Sequence, residues 1–277
     1  MKRRRKRKTV YLLATFAALI FAGAAAAQTT QSAAEAQGSI VVQAPAWEKG
    51  EGWAKFDEKL LVDFANLERF HDEDAKLGAP AAGEERVVFM GDSITEGWKL
   101  ETSFPGKTYI NRGIGGQSSS QMLLRFRQDV IDLKPKAVLI LAGTNDFAGN
   151  TGPVTLEQLE GNSMSMADLA NANGIRVVMC SVLPSVGFRW HPEVGNPAPR
   201  IAALNQWMKG YAADKGYVYV DYYSAMKDEE GGLPKKVSAD GVHPTAEGYA
   251  LMAPLAEAGI AKALKEKGGE TKASDKN

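Results

Sequence analysis

The chain has 277 residues, 44% of them hydrophobic and 24% charged, a balance that excludes a disordered low-complexity chain and allows one sizeable core. Its 33 basic and 33 acidic residues cancel, but seven of the bases sit in the single run Lys2 to Lys8. Cys180 is the only cysteine, which excludes an intrachain disulfide and any CxxC site. In the apolar run Val177-Val178-Met179-Cys180 it reads as a buried core thiol.

Behind the basic run, an apolar stretch extends from Val10 to about Ala22 and leads into Gly23-Ala24-Ala25-Ala26-Ala27. A basic segment, an apolar segment and an A-x-A site make residues 1–27 a secretory signal peptide, with cleavage expected after Ala27. The apolar stretch is short and rich in alanine for a membrane span. The protein is therefore expected in the periplasm or the medium, with no stable membrane insertion once the signal is removed. Without residues 1–27 the chain has 26 basic and 33 acidic residues, a net charge of −7, which disfavours a nucleic-acid partner.

Residues 28–45, rich in Gln, Ala, Ser and Thr, read as a flexible lead. Residues 46–83 read as an N-terminal helical extension. Trp53, Phe56, Leu60, Phe64 and Leu67 recur at spacings of three and four, which places them on one helical face, and Gly78-Ala79-Pro80 stops the pattern.

From 84 to 267 the pattern alternates between strand and helix. Apolar runs at 86–90, 108–111, 137–142, 175–182 and 217–221 predict five strands. Their lack of polar alternation fits a parallel sheet covered on both faces. Between them, Met122, Phe126 and Val130 share a helical face, as do Leu156, Leu159 and Leu169. Ile201, Leu204, Trp207, Met208 and Tyr211 form another stripe, and Tyr249, Met252, Ala256, Ile260 and Leu264 the last. Such units predict an α/β fold, a three-layer α/β/α sandwich. Residues 268–277 read as a frayed tail.

In such folds the working site lies beyond the carboxyl ends of the strands, so the residues after each strand are informative. Strand one runs into Gly91-Asp92-Ser93-Ile94-Thr95-Glu96. Ser93 would sit at a helix start, where unpaired N–H groups favour negative charge. Taken alone, the segment reads better as a helix cap, with a capping box closed by Glu96, than as a nucleophile. Strand two runs into Asn111-Arg112-Gly113-Ile114-Gly115-Gly116-Gln117-Ser118. A dinucleotide loop would need glycine at 118 and an acid at 111. The glycines suit the close approach of a backbone N–H to a ligand instead.

Strand three runs into Gly143-Thr144-Asn145-Asp146, where an amide could donate to the same ligand or simply make an Asn-Asp turn. After strand four, residues 184–199 form a long loop with Phe188, Arg189, Trp190 and His191. It is a candidate substrate wall, to which Asp92 is added as a further candidate contact. Past strand five come Asp240-Gly241-Val242-His243, whose spacing brings carboxylate and imidazole within hydrogen-bonding reach. With no third ligand nearby, this pair is a poor metal site, and neither a metal nor an organic cofactor is expected.

A serine hydroxyl needs a base to take its proton, and the base needs a fixed tautomer. The acyl intermediate needs donors aimed at its oxyanion, each worth about 3 kcal/mol of barrier. Ser93, His243, Asp240 and the loops after strands two and three offer all of these together.

Four blocks, Gly91-Asp92-Ser93, Asn111 to Gly116, Gly143-Thr144-Asn145-Asp146 and Asp240 to His243, resemble those of the SGNH, or GDSL, hydrolase family in their order. Blocks two and three are similar to the platelet-activating-factor acetylhydrolase-like branch and to bacterial acyl esterases. The resemblance implies a flavodoxin-like parallel sheet of order 2-1-3-4-5. It implies Ser93 as nucleophile with Asp240 and His243, and an oxyanion hole of the Ser93 N–H, the Gly116 N–H and the Asn145 side chain. Gly116 is chosen over Gly115 as the last glycine of its block. The G-x-S-x-G elbow of the α/β-hydrolases is absent.

The expected function is an exported serine esterase acting on a small-molecule or glycan ester, with acetyl groups favoured. A lysophospholipase or thioesterase on the same triad, or a silent carbohydrate- or lipid-binding module, is the alternative. Nothing in the sequence sets the oligomeric state.

Overall fold

The computed structural model describes residues 60–265. The expected signal peptide, the lead, the first part of the helical extension and the tail at 268–277 lie outside the described residues.

Five strands, β1 (Val87–Gly91), β2 (Tyr109–Gly113), β3 (Ala137–Leu141), β4 (Arg176–Cys180) and β5 (Val218–Val220), form one sheet of order β2-β1-β3-β4-β5. Every pairing is parallel, with Phe89 opposite Asn111 on one side and Leu139 on the other. The order is the one that the family resemblance implied. Each strand is short because its apolar run is short.

Among the described residues the helices are α1 (His71–Leu77), α2 (Ser93–Glu96), α3 (Leu100–Ser103), α4 (Ser119–Phe126), α5 (Thr144–Ala148), α6 (Leu156–Ala172), α7 (Ala198–Lys215), α8 (Tyr222–Met226) and α9 (Ala246–Lys265). Successive strand side chains point to opposite faces, and that parity divides the core. Val88, Met90, Val138, Ile140, Val177 and Met179 pack against α4, α6 and α7 through Phe126, Met166 and Leu204. Val87, Phe89, Leu139, Val178, Cys180 and Val220 pack against α9 through Met252, Ala256 and Ile260. Both faces are thereby dry, giving the three-layer sandwich. Burial pushes the Cys180 thiol well up, so it stays protonated in the core. Among the described residues no helix is long and apolar enough to cross a membrane.

The described part of the extension is not one continuous helix. Residues 60–62 are helical, but Asn66 takes a left-handed φ of 54°, and helical structure resumes only at 67–69 and in α1. Phe64 and Leu67 are exposed, and Ala65 and Phe70 are buried in their place. The backbone carbonyls of Phe64, Ala65 and Leu67 accept hydrogen bonds from Gln121 (2.6 Å), Gln117 (2.7 Å) and Gln128 (2.6 Å). Those contacts replace the helical ladder, and Asn tolerates the turn better than most residues. Arg112 of β2 fastens α1 by pairing with Asp74 and lies over the Phe70 ring, 4.5 Å from its centre.

α4 continues into a π-helical turn, Arg127–Ile131. The buried Arg125 reaches Asp129 at 2.9 Å, the Gln117 side-chain oxygen at 2.6 Å and the Gly91 carbonyl at 3.0 Å. One guanidinium thus ties the end of β1 to the loop after β2.

Candidate active site

The carboxyl ends of β1, β2 and β3 carry the first three blocks side by side. Gly91 ends β1 with no room for a side chain, since a Cβ there would lie 2.0 Å from Thr95 Oγ1 and 3.0 Å from the Leu141 carbonyl. Asp92 caps α2, its Oδ1 accepting from the Ile94 N–H at 2.9 Å, and Ser93 is the first helical residue. Glu96 does not close a capping box with Ser93. Its carboxylate instead accepts from the Gly115 N–H at 2.9 Å. α2 has only four residues, so any field at its start comes from a few amides of one turn rather than a long helix dipole.

Ser93 Oγ lies 2.9 Å from His243 Nε2, and His243 Nδ1 lies 2.7 Å from Asp240 Oδ2. An ionised carboxylate only accepts, so it holds the imidazole proton on Nδ1 and leaves Nε2 to accept from the serine. Asp240 is itself fixed by its own loop. Its Oδ1 accepts from the N–H groups of Val242 (2.9 Å) and His243 (2.8 Å) and from Ser238 Oγ (3.2 Å). Partial burial pushes the Asp240 carboxyl up, but the His243 ring and these amides outweigh it and hold the group well below the usual carboxylate range. The pair is half exposed, at 42% for His243 and 34% for Asp240. On the far side, Tyr249 of α9 donates to the Ile94 carbonyl at 2.8 Å, joining the His243 end of the chain to α2.

Gly116 has φ 78°, and its N–H has no acceptor among the described residues. Asn145 is buried at the start of α5. Its Nδ2 donates to the Gln117 carbonyl at 3.0 Å, and its Oδ1 accepts from Asn150 Nδ2 at 2.9 Å. Those partners fix which end of the amide is which and leave one N–H of Asn145 without a protein acceptor among the described residues. Asp146, next in the block, is wholly buried and accepts from Ser119 Oγ (2.6 Å) and the Ser119 N–H (2.9 Å). It braces α5 against α4.

The candidate substrate contacts divide. Trp190 is half buried, with its ring 6.2 Å from that of His243, and its Nε1 donates to Asn150 Oδ1 at 2.9 Å. Arg189 is exposed. His191 is only 4% exposed and pairs with Glu193 at 2.8 Å, so it braces the loop rather than lining a cleft. Asp92 is likewise wholly buried, and its carboxylate serves the helix cap rather than a substrate. Burial pushes the Asp92 carboxyl up to about 7, against the pull of the Ile94 N–H and of His243.

Sequence reasoning passed over Asn150, whose side chain holds Asn145 and Gly116, and Gln117, whose backbone carbonyl takes the Asn145 amide while its side chain joins Arg125 and Ala65. A polar residue in a loop gives no periodic signal, and only burial marks these two. Among the described residues no group of three or more His, Cys, Asp and Glu is arranged to hold a metal ion.

Fold and site together define an α/β sandwich with a hydroxyl–imidazole–carboxylate relay at the ends of its strands. Residues 89–251 match the GDSL-like Lipase/Acylhydrolase family, and the chain belongs to that family. A GDSL-like lipase of Bacteroides thetaiotaomicron VPI-5482 is 46% identical, with a TM-score of 0.70 over 73% of this chain and 100% of that one. The Pseudomonas aeruginosa esterase TesA is 29% identical over 178 residues, 59% of this chain and 81% of TesA. An acetylxylan esterase of Xylanibacter ruminicola is 24% identical over 246 residues, 75% of this chain. The chain spans about half the length of two of the curated relatives it matches, 48% in the case of the acetylxylan esterase.

Proposed function

We propose that the chain is an exported serine esterase, which hydrolyses carboxylic esters through an acyl-Ser93 intermediate and prefers short acyl groups such as acetyl on carbohydrate. The observation that carries this reading is the continuous hydrogen-bonded relay from Ser93 Oγ through His243 to Asp240. Ser93 Oγ attacks the ester carbonyl carbon while its proton passes to His243 Nε2. The carbonyl oxygen takes the negative charge and faces the Ser93 and Gly116 N–H groups and the spare N–H of Asn145. The imidazolium, stabilised by Asp240, then gives its proton to the departing alcohol oxygen. Water repeats the sequence on the acyl-serine with His243 as base, which releases the acid and restores the serine. As written, the reaction uses no metal or organic cofactor.

Support for a short acyl group on a sugar comes from the acetylxylan esterase relative. The Trp190 ring beside His243 adds a flat apolar wall on the leaving-group side. Support for export comes from the basic run, the apolar stretch and the A-x-A site of residues 1–27. N-terminal sequencing of protein recovered outside the cytoplasm should begin at Gln28.

The activity is tested with a p-nitrophenyl ester series from acetate to decanoate, run beside acetylated xylooligosaccharide, lysophospholipid and a thioester. Acetate should give the highest kcat/KM, with Ser93→Ala inactive throughout. A preference for long chains overturns the acetyl assignment, and activity surviving in Ser93→Ala overturns the mechanism.

A further inference from the structure

Asn150 lies just past α5, after Gly149, and is 4% exposed. Its side chain uses both of its N–H groups and its oxygen, and each partner belongs to a different part of the site. One Nδ2 donates to Asn145 Oδ1 at 2.9 Å and to the Gly116 carbonyl at 3.1 Å. Oδ1 accepts from Trp190 Nε1 at 2.9 Å. The Asn150 backbone N–H also donates to the Asn145 carbonyl at 3.1 Å. A single amide therefore holds both residues proposed as oxyanion donors after β2 and β3. The same amide is held by the aromatic ring that stands beside His243.

The chemistry of that arrangement is directional. With Nδ2 of Asn150 fixed on Asn145 Oδ1, the Asn145 amide cannot turn over without setting NH₂ against NH₂. Its spare N–H is thereby kept on the substrate side. Gly116, at φ 78°, has no side chain to limit its backbone rotation, and the bond to its carbonyl restrains it. Asn150 could itself present its amide either way round. The Trp190 N–H can only donate, so it forces the Asn150 oxygen toward Trp190 and the nitrogen toward the two donors. A donor misaligned by an ångström loses much of its effect on a transition state.

We infer that Asn150 is a positioning residue that aligns the Asn145 and Gly116 donors of the oxyanion hole, with its own amide orientation set by Trp190. The inference rests on the serine-esterase reading above. Asn150 touches neither substrate nor the reacting atoms in this assignment, and its effect passes through Asn145 and Gly116.

The test is a double-mutant cycle of Asn150→Ala and Trp190→Phe on p-nitrophenyl acetate, with kcat expressed per active site counted by fluorophosphonate titration. Counting sites removes the contribution of misfolded protein, so a merely structural role would leave kcat unmoved. Asn150→Ala should lower kcat about 10- to 100-fold, with KM within about threefold of wild type. Trp190→Phe keeps a ring but loses the N–H. It should lower kcat about threefold in the wild type and by a clearly smaller factor when Asn150 is already Ala. Unchanged kcat in Asn150→Ala, or additive effects, overturns the inference. Should Asn150→Ala fail to fold, Trp190→Phe carries the test alone. A lower kcat at constant KM supports the inference, and an unchanged kcat overturns it. Ser93→Ala is run in parallel. Activity surviving in that variant defeats the esterase reading, whereas a Ser93-dependent enzyme indifferent to Asn150 defeats only the role given to Asn150.

Discussion

The two halves of the site are built differently. Asn145, Asn150 and Gln117 are buried in a polar network under the ends of β1, β2 and β3, and their positions depend on contacts far apart in sequence. The Asp240–His243 pair is half exposed and holds itself in place through four consecutive residues, by bonds between neighbours. The half proposed to supply the oxyanion donors is tertiary structure, and the half proposed to supply the base is close to a local motif. The consequence is a separation of effects. Damage to the base half should cost activity with little stability, and damage to the donor half should cost both.

The largest effects are expected at Ser93 and His243. Alanine at either should lower kcat/KM about 100,000-fold while thermal midpoints stay near wild type, because little packing is lost. A large fall in Tm for His243→Ala would break the comparison. Next is Asp240→Asn, which keeps the shape but no longer holds the proton on Nδ1 of His243. It should lose about 10,000-fold in kcat, read under saturating substrate. Asn145→Ala should lose less activity, about 100- to 1,000-fold in kcat. It should also destabilise the fold by about 1–3 kcal/mol, since the Gln117 carbonyl and the Asn150 amide lose their partner. Urea unfolding of the two variants side by side separates the halves directly.

The last effect concerns pH and bears on stability rather than on catalysis. Asp92 is wholly buried, and its carboxyl is pushed up to about 7. Below the unfolded value near 4 it is protonated in both states and affects stability equally in each. Between about 4 and 7 only the unfolded chain ionises freely, so the native state loses ground as pH rises, by at most about 4 kcal/mol. Asp92→Asn cannot ionise and can still cap α2. Its stability relative to wild type should therefore rise from pH 4 to 7 and level off above, measured by Tm across that range. The pull on Asp240 has the opposite sign. Its lowered carboxyl contributes stability above the unfolded value, which is lost only as the pH falls into the acid range.

The same division explains what could be read in the sequence. The strands were legible because parallel strands covered on both faces are written as apolar runs, and the residues after each run lie at one edge of the sheet. Asp240 and His243 were legible because three-residue spacing is enough to bring them together. The donor half was only partly legible. Asn145 stands in a recognisable block, but Asn150 and Gln117 act through partners up to dozens of residues away, and no local pattern announces such contacts. Asp92 and His191 looked available to a substrate because burial cannot be seen in a short polar segment. The helical extension misled for a related reason. Spacings of three and four among its apolar residues suit a helix, but three glutamines of the domain take its backbone carbonyls and the chain turns at Asn66 instead.

The proposed reaction needs Ser93 to be a nucleophile that His243 activates, and a fluorophosphonate probe reads both parts. Intact-mass and peptide analysis should find one adduct per chain, on Ser93, formed rapidly by the wild type. The adduct should be absent from Ser93→Ala and formed far more slowly by His243→Ala. An adduct on another residue, or labelling of Ser93 at an undiminished rate without His243, would contradict the relay at the centre of the site.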